Sequence, residues 1–292
     1  MKFFTLVDVA GPVTGGANVD ATTSPRHSSE ILAARLFFRA AFPVMRVLLA
    51  DDPRTSRAFA SVVAKVRFSY LEASSSPGGK RAETGITLVF DRGSLDISEE
   101  LLPEPDIALR FPTVEAMNSL LRGGLALPSI KGLGRPGLLV KVLGLLMGLK
   151  LMAPTAKPSD PIKRRLKVKL SLYMITTALS QYNKAGVPSM RSWTAGQPDR
   201  IYQFSVEPVD ETGIAAWFRV KGGNSKAGRG EYARRSPFVH FRFNGVDGAL
   251  AILGKELGFV EGVEKGMVRV DGSPEYAAAL NDHMALLQDM LT

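Results

Sequence analysis

Three histidines are the side chains of this 292-residue chain that ordinarily titrate near neutral pH, and they lie far apart, at His27, His240 and His283. The sequence has no cysteine, which excludes disulfides, a thiol nucleophile and cysteine-ligated zinc or iron–sulfur clusters. His240 or His283 could serve as a general base, but no recognisable motif supplies a nucleophile or an orienting carboxylate beside either. We therefore interpret both as structural and predict no catalytic residue, no metal site and no cofactor.

A glycine-rich segment at residues 223–230, GNSKAGRG, has the outline of a phosphate-binding loop. In such a loop a lysine and then a serine or threonine follow the second spaced glycine, where they contact the phosphates and magnesium. Here Arg229 and Gly230 stand at those two positions. We interpret the segment as a mobile basic loop and predict no nucleotide site.

The densest positive charge lies in one heptapeptide, whose cations are Lys163, Arg164, Arg165, Lys167 and Lys169. The whole chain carries a net charge of +9, which favours phosphate-bearing partners. One interpretation is docking to an anionic membrane surface, where each cation contributes about 1 kcal/mol; a solvated helix end is the other. Nucleic acid is disfavoured, because the heptapeptide lacks interleaved aromatic residues for base stacking and no nucleic-acid-binding motif occurs.

The elements that position these residues occur twice along the chain. Residues 105–111, PDIALRF, recur as residues 237–243, PFVHFRF. Apolar and polar side chains alternate in both copies, which indicates a strand with one buried face. Neighbouring elements recur in the same order, 128 to 140 residues later. The pattern predicts a duplicated module.

We predict an α+β fold made of two such modules. The predicted limits are 27–153 for the first module and 162–292 for the second, with 154–161 as a linker and 1–26 as a flexible segment. The apolar fraction of 45% and the charged fraction of 22% are those of ordinary globular domains.

Each module is expected to begin and end with a helix. Residues 27–48 and the basic residues 163–183 have the patterns of the leading helices. Pro136 and Pro274 are predicted to start the two final helices, because the first turn of a helix tolerates a missing N–H.

The longest apolar run extends from residue 138 to 153 and is interrupted by Lys141 and Lys150. A membrane-spanning helix needs about 20 apolar residues, so we expect this run to lie inside the protein or at a surface. Gly144 and Gly148 share one face of the helix, where they allow close approach of another backbone or of a ligand. The N-terminus shows no signal-peptide pattern, and we expect a cytoplasmic protein. If the basic heptapeptide docks to a membrane, the protein would also be peripherally membrane-associated.

The order of elements resembles the sterol carrier protein family, type two. The resemblance covers roughly residues 60–150, with SPGGK at a hairpin turn (residues 76–80) and LPSIKG before the last helix (residues 127–132). The second module departs from the family pattern at residues 222–235, which replace the usual third strand, and at Phe238, which stands where an aspartate leads the family's strand.

This resemblance implies that each module is a sheet of about five strands covered by helices on one face, with an apolar tunnel that binds a sterol, a fatty acyl chain or another lipid without catalysis. Apolar lining suits such a tunnel, because an unpaired buried polar atom costs about 1–3 kcal/mol. The same apolar side chains could instead fill an ordinary core. The residues predicted to contact the ligand are Phe68, Tyr70, Leu88, Phe90, Ile107, Leu109, Phe111, Met117, Leu120, Leu121, Leu143, Met147, Phe204, Phe218, Phe241 and Phe243.

Three functions are compatible with these patterns. The first is a non-catalytic lipid-binding protein that delivers its ligand to a membrane or to a lipid-metabolising enzyme. The second is an accessory protein that organises a lipid or quinone biosynthetic complex. The third, a hydrolase or acyltransferase, is the least favoured because no catalytic motif accompanies the histidines.

Overall fold

The computed structural model describes residues 25–72, 79 and 81–291. The flexible segment predicted at residues 1–26 and the turn predicted at residues 76–80 lie almost entirely outside this part of the chain. The described residues form two five-stranded mixed sheets, each packed against helices. The predicted α+β class is therefore confirmed.

The first sheet is built around a long central strand. Its strands are β1 (Val63–Leu71), β2 (Glu83–Asp91), β3 (Ser94–Ser98), β4 (Ile107–Phe111) and β5 (Ser129–Lys131). They are ordered β3-β2-β1-β4-β5, and only β1 and β4 are paired in parallel. Val66, Phe68 and Tyr70 of β1 are buried towards the helices, as period-two alternation predicts.

The second sheet has the same succession of strands. They are β6 (Arg200–Glu207), β7 (Ala215–Lys221), β8 (Asn224–Arg229), β9 (Val239–Asn244) and β10 (Val268–Gly272). They are ordered β8-β7-β6-β9-β10, again with one parallel pair, β6 with β9. The strands predicted from the repeated sequences at residues 105–111 and 237–243 thus take the same place in the two sheets.

Strand β8 corrects two sequence-based predictions. The segment at residues 222–235 does contain the third strand, and residues 223–230 are not a mobile loop. β8 pairs antiparallel with β7 at the sheet edge. A Cβ atom on Gly228 would lie 2.2 Å from Cζ2 of Trp217, so the glycine that suggested a loop instead makes room for an indole ring.

Helices of the first half surround one face of its sheet. They are α1 (Pro25–Leu36), a π-helical segment (Phe37–Ala41), a 3₁₀ turn (Phe42–Val44), α2 (Met45–Asp51), α3 (Pro53–Phe59), α4 (Val114–Leu121), α5 (Pro136–Leu149) and a 3₁₀ turn (Lys150–Met152). The helix predicted at residues 27–48 is therefore present, but its geometry changes along its length. α3 begins after Asp52, whose carboxylate accepts a hydrogen bond from the Thr55 N–H at 3.0 Å.

The second half contributes a long leading helix and a long final helix. Its helices are α6 (Pro161–Lys184), α7 (Pro188–Ala195), α8 (Val209–Thr212), α9 (Gly245–Leu253), α10 (Phe259–Glu264) and α11 (Pro274–Leu291). Pro136 and Pro274 begin α5 and α11, as predicted. Within the described part of the chain, none of the helices combines the length and the apolarity that crossing a membrane requires.

Both halves share one hydrophobic core. α6 packs against β7 and β8 of the second sheet and also against the π-helical segment of the first half. Arg122 at the end of α4 pairs with Glu30 of α1 at 3.0 Å and donates a hydrogen bond to the Met290 carbonyl of α11 at 2.9 Å. The module limits inferred from the sequence stay predictions, because side chains of both halves build this core together.

Candidate functional site

The apolar residues predicted to contact a ligand in the first sheet lie together on its helix-facing side. Each is at most 6% exposed: Phe68, Tyr70, Leu88, Phe90, Ile107, Leu109, Phe111 and Met117. They come from β1, β2, β4 and α4, and the parallel pairing of β1 with β4 aligns Phe68 with Leu109. The alternation in the sequence therefore predicted their common face correctly.

Side chains of the protein itself surround these residues. The Phe68 ring centroid lies 5.1 Å from that of Phe42 and 5.2 Å from that of Phe111. Phe38 makes a third, edge-on contact with Phe68 at 6.3 Å. The arrangement around Phe68 is that of a packed aromatic core.

The second half repeats this packing. Phe204, Phe218, Phe241 and Phe243 are at most 3% exposed. The rings of Phe204 and Phe241 are stacked, with centroids 4.7 Å apart, and Phe259 of α10 lies 5.8 Å from Phe241. In both halves the predicted contact residues belong to the core, and their contact with a ligand stays a prediction.

The four other predicted contact residues lie nearer the surface. Leu120 and Leu121 of α4 are half-buried, whereas Leu143 and Met147 of α5 are 42% and 56% exposed. α5 packs against α2 and α3, so these two side chains do not face the sheet.

The two glycines of α5 have different surroundings. A Cβ on Gly148 would lie 2.8 Å from Cδ1 of Leu48, so Gly148 lets α5 approach α2 closely. A Cβ on Gly144 would meet nothing within 4 Å. The predicted packing role therefore fits Gly148, and Gly144 faces open space.

A cleft of about 180 Å³ opens between the π-helical segment, α2 and strands β2 and β3. Half of its lining residues are apolar, and we call them the floor; the other half are polar or charged, and we call them the rim. The lining residues are Phe38, Arg39, Pro43, Arg46, Ile86, Ile97, Glu99 and Gln181. The sequence did not predict the cleft, because these residues come from four separate segments that meet only in the folded chain.

Ion pairs cross the rim of this cleft. Arg39 contacts Glu99 at 2.6 Å, and Arg46 contacts Asp96 at 3.0 Å. The side-chain oxygen of Gln181 is buried and has no hydrogen-bond partner in the described part of the chain. Phe38 continues the floor inwards, because its ring is stacked on Tyr70 at 6.4 Å. The cleft therefore combines an apolar floor with two ion-paired guanidinium groups and a buried acceptor that lacks a partner among the described residues.

The basic heptapeptide forms the start of α6, but its cations are dispersed. Lys163 and Arg165 are exposed. Arg164 pairs with Asp247, and Lys169 pairs with Asp51 at 2.6 Å. Acidic residues distant in sequence thus neutralise much of the charge that the linear sequence concentrates here.

Lys167 does not belong to the surface at all. It is 3% exposed, and its ammonium donates hydrogen bonds to the carbonyls of Ala153 at 3.0 Å and Ala156 at 2.5 Å. Burial lowers the pKa of Lys167. Its role is to hold the chain between the 3₁₀ turn and α6, and it is not available to a lipid headgroup.

Replacement of Lys167 by methionine tests this role. Methionine keeps the apolar stem but leaves two carbonyls without their donor, so we expect the free energy of unfolding to fall by about 1–3 kcal/mol. Urea denaturation measures the change, and the same replacement at exposed Lys163 is the control, with less than about 0.5 kcal/mol expected. Equal small effects at both positions would contradict the assignment.

His240 has a neighbour that the sequence motifs did not reveal. Its Nε2 lies 2.8 Å from the Ser205 hydroxyl, which itself donates to the Glu207 carboxylate at 2.8 Å. Since that hydroxyl has one proton, His240 is the donor in the contact with Ser205. Ser205 is fully buried, so its hydroxyl does not reach the solvent-exposed surface. No group of three or more His, Cys, Asp or Glu suited to a metal ion occurs among the described residues.

No family model matches the chain, and no curated protein matches it. Among solved structures, the sterol carrier protein 2 like 2 of Aedes aegypti matches with 21% identity and a TM-score of 0.27, covering 39% of this chain and 97% of that one.

Two structures of the sec-alkyl sulfatase Pisa1 also match. A double mutant has 12% identity and a TM-score of 0.26, covering 56% of this chain and 29% of that one. The enzyme from Pseudomonas sp. has 15% identity and a TM-score of 0.23, covering 64% of this chain and 33% of that one. TM-scores of this size support no inference about activity or ligand.

Proposed function

We propose that this chain binds a lipid with an apolar tail, without catalysis, in the cleft between the π-helical segment and strands β2 and β3. The observation that carries the proposal is the continuity of the cleft floor with the core. Ile86 and Ile97 line the opening, and Phe38 leads from it to Tyr70 and Phe68. A tail that enters here reaches the residues that the family resemblance assigns to ligand contact.

A long tail requires the cleft to widen. Its volume of about 180 Å³ is below the roughly 300–1,000 Å³ that small-molecule sites occupy. The wall that moves is the π-helical segment Phe37–Ala41, because π-helical segments, although rare in proteins, often occur at functional sites. The ion pair of Arg39 with Glu99 opposes this movement little, because exposed pairs contribute only about 0–1 kcal/mol.

The rim suits an acidic or hydroxyl-bearing headgroup. Once the wall has moved, Arg39 can exchange Glu99 for a carboxylate of the ligand. The buried oxygen of Gln181 can accept a hydrogen bond from a ligand hydroxyl. Fatty acids and sterols both have such a headgroup on an apolar body, and both belong to the ligand class that the resemblance implies.

Blocking the cleft tests the proposal. In the Ile97→Trp variant the indole fills the opening, so delipidated protein should bind a fluorescent fatty acid or sterol at least about tenfold more weakly than the wild type. Fluorescence titration in the absence of vesicles measures the affinity. The control is Lys226→Trp, at an exposed position of the corresponding strand β8.

The pattern of affinities separates the alternatives. Equal binding by both tryptophan variants and the wild type would place the ligand elsewhere, and wild-type protein that binds no fatty acid or sterol would overturn the lipid-binding function itself. If the wild type hydrolyses a bound acyl ester and the Ser205→Ala variant does not, the non-catalytic part of the proposal is overturned.

A further inference from the structure

α5 leaves an unusual amount of apolar surface uncovered. Val140, Leu143 and Met147 are 69%, 42% and 56% exposed, whereas Val142 and Leu145 are fully buried and the other leucines of the helix are partly buried. With 3.6 residues per turn, the three exposed side chains lie on one side of the helix. Exposed apolar side chains clustered in this way mark an interaction site.

The segment around α5 also lacks negative charge. Residues 116–159 contain no aspartate or glutamate and six basic residues. Three of these are paired with carboxylates elsewhere in the fold. The others, Lys131, Lys141 and Lys150, form no ion pair with any described residue. Any partner of this segment therefore meets uncompensated positive charge.

Apolar and basic residues are arranged as in a helix that lies in a membrane interface. On the helical wheel, Val140, Leu143 and Met147 form the outer face, and Lys150, in the 3₁₀ turn that follows α5, lies next to Leu143 at one edge of that face. Lys141 is half-buried and lies about 100° round the helix from Val140, on the other side of the face. Such a helix inserts its apolar face between lipids while the flanking cations contact anionic headgroups. A protein partner would need a dense acidic surface to match this charge. A second copy of this chain does not fit that requirement, because the chain has 28 acidic residues against 37 basic ones and a net charge of +9.

The final helix of the second half lacks these properties. α11 contains Glu275, Asp282 and Asp289. Its apolar residues Leu280 and Leu287 are at most 1% exposed, and Leu286 is its one large apolar side chain among the described residues that is more than 40% exposed. The exposed apolar face is thus a property of α5 and not of every final helix in this fold.

We propose that the outer face of α5, defined by Val140, Leu143 and Met147 with flanking Lys141 and Lys150, docks the protein on a membrane that contains anionic lipids. This surface differs from the basic heptapeptide, for which docking was one of two interpretations of the sequence. α5 enters the interface with its axis parallel to the membrane, and its buried face stays on α2. Docking here does not depend on the cleft, so either proposal can fail alone.

Vesicle sedimentation of the full chain tests the docking. Wild-type protein should bind phosphatidylcholine vesicles that contain phosphatidylserine, and binding should weaken with added salt. The Leu143→Asp/Met147→Asp variant should bind at least about tenfold more weakly. The matched control is Val263→Asp/Leu286→Asp, because these residues are 43% and 50% exposed on α10 and α11; it should bind like the wild type.

Further variants identify the surface. Lys141→Gln/Lys150→Gln should lose most of the preference for phosphatidylserine over phosphatidylcholine alone. Three results would overturn the proposal. The first is a wild type that binds neither kind of vesicle, and the second is binding that is lost in Lys163→Gln/Arg165→Gln and unchanged in Leu143→Asp/Met147→Asp. The third is a wild-type dimer that binds no vesicles and that Leu143→Asp/Met147→Asp dissociates. Fatty-acid affinity measured without vesicles reports separately on the cleft.

Discussion

Replacing Phe68 with alanine should lower the free energy of unfolding by about 3–5 kcal/mol, the range for large aromatic side chains in packed cores. Phe68 is fully buried, and the rings of Phe38, Phe42 and Phe111 surround it. Removing the ring deletes its buried apolar surface and leaves a cavity that the neighbouring rings fill only in part. Urea denaturation of the full chain measures the loss.

The size of this loss distinguishes a packed core from a hollow one. If Phe68 lined an empty tunnel, truncation would only enlarge an existing space, and few packing contacts would be lost. Phe204→Ala should cost a similar amount, because Phe204 is stacked on Phe241. Val140→Ala, at a side chain that is 69% exposed, is the control and should change stability by less than about 0.5 kcal/mol. A loss near 1 kcal/mol at Phe68 would favour the tunnel.

The sequence predicted which side chains share a face but not whether that face is filled. Alternation placed Phe68 and Phe111 on the covered side of the sheet, because side-chain direction in a strand follows from sequence position alone. Whether space remains between them depends on Phe38 and Phe42, which lie in the leading helical segments. Sequence patterns contain no distances between elements, so a lined tunnel and a packed core have the same alternation.

Strand β8 shows a second limit of sequence analysis. Its residues 224–229, NSKAGR, have low strand propensity, so they suggested a loop. In the fold, β8 is stabilised instead by its pairing with β7 and by the contact of Gly228 with Trp217. The short helices α7 and α10 were also missed, because a stretch of six to eight residues has too few turns to show helical periodicity.

Charge was the least predictable feature of the candidate sites. The basic heptapeptide looked like one patch, but Asp247 and Asp51 neutralise two of its cations and Lys167 turns inwards. These partners lie far away in sequence. α5, by contrast, looked like an ordinary buried or interfacial helix and proved to be half uncovered. Which charged and apolar side chains are free at the surface therefore depends on the tertiary contacts of each element.

His240 should make the protein less stable as the pH falls from about 6.5 to 4. Burial disfavours the charged imidazolium, and Arg242 adds to the effect, so the pKa of His240 is lowered from 6.5 to about 4. Within this window the unfolded chain binds a proton that the folded chain does not bind. Stability contributed by neutral His240 is therefore fully present above pH 6.5 and is lost on acidification, by about 3 kcal/mol in total.

A non-titrating variant isolates this effect from that of the nearby carboxylates. In His240→Gln the side-chain amide can still contact the Ser205 hydroxyl, but it binds no proton. Although burial raises the pKa of Glu207, hydrogen bonds from Ser205 and Arg242 lower it overall, and a hydrogen bond from Arg242 lowers the pKa of Asp271. These carboxylates therefore change charge at lower pH, in the wild type and in the variant alike. Between pH 6.5 and 5, urea denaturation should show the wild type losing about 2 kcal/mol more than the variant. Parallel pH profiles would mean that His240 has the same pKa in the folded and unfolded chains, which its burial opposes.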